Sequence, residues 1–515
     1  MGFLDFLFYG FIAVVIIQVL FYVFWNQSIV FLMPFILSAQ QQYNWNDKVQ
    51  TIYESITSLR IPEARKWLEL EKKTSPQNLI NPLLESYADF YQLFFNESRS
   101  DYEKLFPQFE KRMRLFESGP KQSPYYLYCI GVTHIHKSIV AIRFDKNLDA
   151  ALDFRKAYLT FKDNKKAFPK FTQGDVYYGL MTTIIGTVPK AYQWMTGLLG
   201  MTGKITEGNA LVLKYINSKD EYSARTRNEA LIVYPYMLMN FEGNKAKAFA
   251  FIESTPYDFK KNHYHSYMAV NLYLNNQQSG KALNIIQEME MSEAYLPLPF
   301  WQYEIGYAYI NELKLEKAQK AFTEFISTFK GKFYVKDAYE KLSWIAYIQG
   351  DTKKAAAYRS NVLSQGNQIT DADKLAFQNA KKGNWPHPIL LKARLLSDGG
   401  YQSQALAILA GKTSNDFTTD ADKTEFAYRL ARIYDLMKDD ENAIRFYKSA
   451  IEKGENLTEY FAARAALQIG LIYEHKGLFS KAVEYFNTCI AMKNHAFKNS
   501  LDQKAKSGIQ RCLKQ

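Results

Sequence analysis

Two pairs of closely spaced histidines are the first residues in this sequence that could hold a metal ion. His134 and His136 are two positions apart, and so are His263 and His265. On a helix, side chains two positions apart point to different sides, whereas the histidines of a helical metal site are spaced so that they share one face. The spacing therefore predicts no metal site, and we expect no bound metal or other cofactor.

A glycine-rich stretch and the common catalytic motifs give no stronger signal of chemistry. Gly197, Gly200 and Gly203 precede Lys204, but a phosphate-binding loop needs Ser or Thr directly after its lysine, where this chain has Ile205. Neither the GxSxG nor the HExxH motif occurs. We predict that the protein is not an enzyme, and we keep an enzyme as the third hypothesis because a site assembled from distant residues leaves no local motif.

Composition and charge narrow the class of partner. The 64 basic and 52 acidic residues give a net charge of +12, but they are interleaved and form no long basic block. This pattern argues against a nucleic-acid partner and is compatible with a surface near an anionic membrane. The three cysteines, Cys129, Cys489 and Cys512, are widely spaced and form neither a disulfide framework nor a zinc motif.

The elements that would position binding residues form a repeat. In the stretch from 300 to 325, small and aromatic residues occur at spacings that recur along the chain: Gly306, Tyr309, Ala318, Phe322 and Phe325. Small residues let two antiparallel helices approach closely, and large residues fill the space beside them. The pattern predicts a helical hairpin.

This pattern occurs seven times in the second half of the chain. Its first positions are Tyr236, Val270, Gly306, Trp344, Ala393, Ala431 and Gly470, and an alanine follows each of them twelve positions later: Ala248, Ala282, Ala318, Ala356, Ala405, Ala443 and Ala482. The longest step predicts an insertion around Asp371–Lys382, and Leu501–Leu513 has the spacing of a closing helix. The alanine and aromatic signature resembles the tetratricopeptide repeat. The resemblance predicts an all-α fold, an α-solenoid of such hairpins.

The stretch from Gln173 to Asn209 is almost free of charge and rich in glycine. We expect two short helices, broken at Pro189 and packed deep between their neighbours. The segment resembles the inclusion-body clearance family of tetratricopeptide repeat proteins, with matching residues Gly179, Pro189, Leu198, Leu199, Gly200 and Gly203. Thr182 and Thr183, as well as Lys204, depart from that family's pattern. The resemblance implies a common architecture over about residues 145 to 510.

The amino terminus predicts contact with a membrane. Phe6 to Trp25 is a run of 20 residues without charge, about 30 Å as a helix, which matches the hydrocarbon core of a bilayer. A second apolar run ends in Ser38-Ala39-Gln40, and this ending is similar to Bacteroidetes export signals. Two outcomes stay open: a chain anchored by Phe6–Trp25 with its bulk outside the cytoplasm, in the periplasm, or a chain exported after cleavage near Ala39.

These patterns divide the chain into three parts and suggest one surface. Residues 1–39 are the predicted transmembrane anchor or signal segment, 46–225 a helical region with divergent repeats and an apolar hairpin, and 226–515 the repeat array with its capping helix. The first helix of each hairpin lines the inner face of such an array, where aromatic and asparagine side chains could bind a partner. The predicted residues are Tyr264, Tyr267, Asn271, Asn275, Tyr303, Tyr307 and Asn311.

The predicted function is that of a membrane-associated, non-enzymatic scaffold, an adaptor that binds a protein or peptide on this concave face. The basic residues of a repeat that captures a chain-terminal carboxylate are not matched, since Tyr267 stands where lysine would. The alternative is a protein that binds a lipid or another apolar ligand through residues 173–203.

Overall fold

A computed structural model describes residues 41–189 and 192–514, and the predicted anchor or signal segment lies outside them. The described residues form 25 α-helices and no β-strand. This confirms the all-α fold. None of the helices in these two ranges is both long and apolar enough to cross a membrane.

Within the described residues, nine helices precede the array. They are α1 (Asp47–Thr57), α2 (Ile61–Thr74), α3 (Ile80–Asn96), α4 (Arg99–Glu117), α5 (Pro124–Arg143), α6 (Asn147–Ala167), α7 (Asp175–Gly186), α8 (Gln193–Leu198) and α9 (Ile205–Asn217). Asn46 and Ser98 cap α1 and α4, because the side chain of each accepts a hydrogen bond from a backbone N–H of the first turn.

The array follows as pairs of antiparallel helices. Its helices are α10 (Glu221–Tyr236), α11 (Lys245–Ser254), α12 (His263–Leu274), α13 (Ser279–Glu288), α14 (Phe300–Asn311), α15 (Leu315–Thr328), α16 (Val335–Ile348), α17 (Thr352–Ser364), α18 (Asp371–Lys382), α19 (Pro388–Asp398), α20 (Gln402–Leu409), α21 (Asp420–Leu436), α22 (Asp440–Gly454), α23 (Phe461–His475), α24 (Phe479–Ala491) and α25 (Lys498–Cys512). The helix α18 occupies the residues of the predicted insertion.

Close helix approach explains the repeated small residues. A Cβ atom on Gly306 would lie 2.8 Å from the ring of Phe322, and one on Gly470 would lie 2.6 Å from the ring of Phe486. Each glycine is on the first helix of a hairpin and each ring is on the second helix. The ring therefore fills the space that a side chain would need, which is why the two residue types recur together.

The alanines of the pattern are buried in six of the seven hairpins: Ala248, Ala282, Ala318, Ala405, Ala443 and Ala482. In the hairpin α16/α17, the predicted Ala356 is exposed and Ala355 is buried instead. The predicted register is therefore wrong by one residue in this hairpin. Three adjacent alanines, residues 355–357, made the positions indistinguishable in sequence.

After the insertion, the array makes contacts with an earlier hairpin. The helix α18 packs against α16 and α17, and α19 contacts α14. At this contact the backbone N–H of Ser279 donates to the carbonyl of Gly399 over 3.1 Å, and the hydroxyl of Tyr401 donates to Glu312 over 2.7 Å. Gly400 has φ +92° and lies directly against the Gln277 backbone, so a side chain there would be both strained and obstructed.

Glycines also hold α7 against α9. A Cβ atom on Gly179 would lie 2.7 Å from Val212, and one on Gly208 would meet Thr183 and the Gly179 backbone. Pro189 follows the end of α7, as predicted. The short helix α8 differs from the expectation of deep packing, because Trp194 and Leu198 are exposed.

A buried carboxyl joins the amino-terminal helices to the array. Glu229 on α10 accepts hydrogen bonds from Tyr53 on α1 over 2.6 Å, from Tyr87 on α3 over 3.2 Å and from Tyr177 on α7. Burial raises the pKa of Glu229 to about 7, although the three phenol donors lower it. Glu229 therefore ties four helices together and is buried among them.

Candidate protein-binding surface

The seven residues predicted to bind a partner lie on or directly after α12 and α14, and we call their surface the early face. Part of it is covered by α3. The ring of Tyr91 lies 5.1 Å from that of Tyr264, and the ring of Phe95 lies 5.1 Å from that of Tyr267, both in edge-to-face geometry. Such pairs are favourable packing of aromatic rings. The chain itself thus occupies this part of the early face.

The end of α3 is fixed in place by a buried ion pair. Glu97 follows α3 and accepts a hydrogen bond from Arg143 over 2.9 Å and from the backbone N–H groups of Lys332 and Phe333 over 3.2 and 3.4 Å. Burial raises the pKa of Glu97 to about 7, against the lowering effect of Arg143 and the two N–H groups. The contact spans residues 97 and 333, so it holds α3 on the array.

Polar side chains of the early face bind one another across successive helices. Asn271 donates to Glu304 over 3.1 Å, and its side-chain oxygen accepts from Tyr236 over 3.5 Å. Burial raises the pKa of Glu304 to about 7, and the hydrogen bond from Asn271 lowers it only partly. This ladder connects α10, α12 and α14.

A second set of contacts joins α14 to α16. Tyr303 and Tyr307 both donate to Asp337, over 2.9 and 2.5 Å, and Lys341 donates to the other oxygen of that carboxylate over 2.8 Å. Asn311 is buried and donates to Ser279 over 3.1 Å. The side chains of Tyr303, Tyr307 and Asn311 therefore have their hydrogen-bond partners within the chain.

The structure therefore brings the predicted residues to one side of α12 and α14, where most of them contact other helices of the chain. Asn275 is the exposed member, and its side chain donates to the backbone carbonyl of Asn271. A role of the seven residues in binding a partner stays a prediction.

The corresponding side of α19, α21 and α23 carries arginines instead. We call Arg394, Arg429, Arg432 and Arg464 the arginine cluster. Arg429 lies 5.7 Å above the ring of Tyr428 and 5.6 Å above that of Phe461, and Arg394 lies 5.3 Å above the ring of Trp344. Aromatic rings thus support guanidinium groups that belong to three different hairpins.

Carboxylates compensate three of these four charges. Arg394 pairs with Asp398 at 3.4 Å, Arg429 with Glu425 at 2.6 Å, and Arg432 with Asp435 at 3.0 Å. These partners lie three or four residues away on the same helix.

The fourth arginine has no such partner. The guanidinium of Arg464 lies 5.8 Å above the ring of Tyr460, and it forms no ion pair with any carboxylate of the described chain. Partial desolvation and then the positive charge of Arg432 lower the pKa of Lys245. The arginine cluster can therefore accept an additional negative group. Sequence analysis missed it because the arginines occur singly, 35, 3 and 32 residues apart.

The histidines of the two pairs pack against rings or form hydrogen bonds to other parts of the chain. His136 is stacked on Phe90 at 4.4 Å, and burial lowers its pKa to about 3, while a ring nitrogen of His263 bonds to the carbonyl of Glu290 over 2.8 Å. No group of three or more His, Cys, Asp or Glu side chains within residues 41–189 and 192–514 is arranged to hold a metal ion. The free cysteines Cys129, Cys489 and Cys512 are all buried.

Stacked hairpins whose first helices share one face define a helical repeat protein of the solenoid class. The tetratricopeptide repeat profile matches residues 424–452 and 463–495, which lie on α21/α22 and α23/α24. These two hairpins therefore match the tetratricopeptide repeat, as the alanine pattern predicts. A search of curated proteins gave no significant match.

Similar solved structures are distant. The tetratricopeptide repeat domain of P58(IPK) is 14% identical and the match covers 80% of this chain and 97% of that chain, with a TM-score of 0.21. The Cut9–Hcn1 hetero-tetramer of APC/C is 12% identical over 88% and 95%, with a TM-score of 0.24. The Naa15/Naa10 complex bound to HypK-THB is 15% identical over 91% and 67%, with a TM-score of 0.25. The repeat assignment depends on the profile match and the hairpin geometry.

Proposed function

We propose that this protein is a membrane-associated scaffold that binds an acidic segment of a protein partner along the arginine cluster. The observation that carries the proposal is the half-buried guanidinium of Arg464, which has no carboxylate partner beside three that do. Tetratricopeptide repeats typically serve as protein interaction scaffolds, and the early face is partly occupied by the chain's own α3. The late hairpins therefore offer the better docking surface.

The chemistry of the cluster favours carboxylates of a peptide. Guanidinium groups bind carboxylates with two parallel hydrogen bonds, and arginine is among the residues that contribute most to protein interfaces. The aromatic rings beneath the arginines hold them in position, which reduces the entropy that binding costs. An acidic partner segment could exchange with the intrachain carboxylates Asp398, Glu425 and Asp435.

Attachment to a membrane is proposed from the sequence of residues 1–39. The bulk of the chain would lie outside the cytoplasm, in the periplasm, or the chain would be exported after cleavage near Ala39. Carbonate extraction with intact-mass analysis separates the two: a mass beginning at Gln40 indicates export, and a full-length chain resistant to extraction indicates an anchor. A full-length chain soluble without detergent would overturn the attachment.

The resemblance to the inclusion-body clearance family implies a common architecture only, and we infer no cellular role from it.

The docking proposal is tested by cross-linking in isolated membranes, followed by affinity capture and mapping of the linked peptides. Arg464→Glu should remove cross-links between the late hairpins and acidic partner segments. Arg445→Glu is the matched control, because Arg445 is exposed on α22, the second helix of its hairpin. If both variants retain the same cross-links as the native chain, or if the links map away from α19, α21 and α23, the docking proposal is wrong.

A further inference from the structure

An apolar patch projects from the loop that carries α8. Tyr192, Trp194 and Leu198 have exposed fractions of 50%, 61% and 68%. We call these three residues the α8 patch. Exposed apolar residues are ordinary when they occur singly, but three within seven positions form a local cluster that is unusual for a surface in water.

The loop that follows the α8 patch is held by contacts with α6. Leu199 packs beside Ala151 and Leu152 on α6. Arg155 donates to the carbonyl of Leu199 over 2.9 Å, and Tyr158 donates to the carbonyl of Thr202 over 2.6 Å. These contacts fix the backbone directly after Leu198, so the patch adjoins a defined structure.

Basic side chains outnumber acidic ones among the charged residues of this segment and its neighbours. Residues 173–203 contain only two charged side chains, Asp175 and Lys190, and the carboxylate of Asp175 is bound to Lys165 over 2.6 Å. On the neighbouring elements, Lys162 approaches the carbonyl of Gly200 at 3.5 Å, and Lys204 follows the loop and pairs with Glu207. An uncharged aromatic centre with basic side chains beside it is the composition that binds an anionic lipid surface.

We infer that the α8 patch inserts into the interface of an anionic lipid bilayer. Tryptophan and tyrosine prefer the boundary between headgroups and acyl chains, because their rings are apolar and each carries one polar group. Leu198 would reach below the headgroups, and the basic side chains would face the lipid phosphates. The bilayer thus contacts the folded part of the chain at a second place, distinct from the amino-terminal segment.

The length of chain outside the structure limits how far the folded part can lie from the bilayer. Fifteen residues, 26–40, separate the predicted membrane segment from the first described residue. Extended, they reach at most about 50 Å. This inference rests on the proposed membrane attachment, since a chain held at a bilayer by Phe6–Trp25 would keep the folded part within this distance.

A polarity-sensitive fluorophore tests the contact directly on the full-length chain. The three native cysteines are buried, so a cysteine introduced at an exposed position can be labelled selectively. Leu198→Cys and Trp194→Cys report on the patch, and Met291→Cys is the control because its exposed fraction, 69%, matches that of Leu198. Each labelled chain is reconstituted with vesicles of phosphatidylcholine and phosphatidylserine, and with phosphatidylcholine alone.

The expected result is a blue shift of emission at positions 194 and 198 on anionic vesicles, a smaller shift on neutral vesicles and none at position 291. Co-sedimentation of the same samples reports separately on the amino-terminal attachment. A chain that sediments with vesicles but shows no shift at either patch position overturns the patch inference and leaves the anchor intact. A blue shift that grows with protein concentration without vesicles would show instead that a second copy covers the patch, and would also overturn it.

Discussion

The early face on α12 and α14 and the arginine cluster on α19, α21 and α23 occupy equivalent helices of one repeat, yet they have different surroundings. On the early face, α3 covers Tyr264 and Tyr267, and Asp337 receives the hydroxyls of Tyr303 and Tyr307. On the late hairpins, Arg429 is buried but the other three arginines of the cluster stay partly accessible, and Arg464 has no carboxylate partner in the described chain. The position of a residue in the repeat therefore does not decide whether it is free to bind a partner.

The difference lies in long-range packing. The first helices of both regions present aromatic and polar side chains at similar spacings, but within the described residues the rings of α3 pack on the early hairpins. The early face contributes to the stability of the fold, and the late face is the surface proposed to bind a partner. Four predictions test this division, from the largest expected effect to the smallest.

Removing the ring that covers the early face should cause the largest loss of stability. Phe95 is fully buried, and Phe95→Ala should lower the free energy of unfolding by about 3–5 kcal/mol because the transfer energy is lost and a cavity remains. Chemical denaturation followed by circular dichroism measures the change. Trp67→Ala is the control, since Trp67 is exposed on α2. Equal effects of the two variants would mean that α3 is not packed on the early face.

The early face should also make stability depend on pH. The pKa of Glu304 is raised from 4.5 to about 7, so the folded state favours the protonated carboxyl. This contribution is complete below about pH 4.5 and is lost as the pH rises through 7, with a magnitude on the order of 3 kcal/mol.

Glu304→Gln tests this dependence, because the amide keeps an oxygen for Asn271 and does not ionise. The native chain should lose stability relative to the variant between pH 5 and pH 7.5, as measured by thermal unfolding over that range. Parallel pH profiles of the two proteins would contradict the prediction.

Overpacking a late hairpin should cost less than uncovering the early face. Ala443 is fully buried between α21 and α22, and Ala443→Trp should destabilise the chain by about 1–3 kcal/mol. The pair Ala355→Trp and Ala356→Trp checks the corrected register, because only residue 355 is buried. An unchanged melting curve for Ala443→Trp, or a larger effect at 356 than at 355, would count against the hairpin geometry described above.

Changing the charge of the late face should leave the fold almost unaffected. Arg464 is half-buried without an ion pair, so Arg464→Glu should change the free energy of unfolding by no more than about 0.5 kcal/mol, as is usual for surface positions. Denaturation under the conditions used for Phe95→Ala measures this. A loss of several kcal/mol would show that the arginine cluster holds the late hairpins together, and the division between the two faces would fail.

Sequence patterns predicted the local structure well. The close approach of Gly306 to Phe322 and of Gly470 to Phe486 follows from spacing within one hairpin, where neighbouring positions are set by helix geometry. The inserted helix Asp371–Lys382 was detected as a long step between repeats. The register error at Ala356 arose where several adjacent residues of the same type fit the pattern equally.

The candidate sites were less predictable, because their contacts join distant parts of the chain. Tyr91 and Tyr264 are 173 positions apart and Glu97 and Lys332 are 235 apart, and neither pair leaves a periodic pattern. The exposure of Trp194 was also not predicted, because an uncharged segment is compatible both with a buried hairpin and with a projecting one. Gly179 and Gly208 pack α7 against α9, and Trp194 on α8 lies outside this contact.

The cover that α3 provides has a consequence for synthesis of the chain. Ribosomes add about 5–20 residues per second, so the 173 positions from Tyr91 to Tyr264 take roughly 9–35 s to appear. During this interval Tyr91 and Phe95 have no early face to pack on, and they are exposed as apolar surface on a nascent chain. The amino-terminal helices would therefore complete their packing after α12 and α14 have emerged, and a chaperone that binds aromatic segments would find its substrate in α3 during that delay.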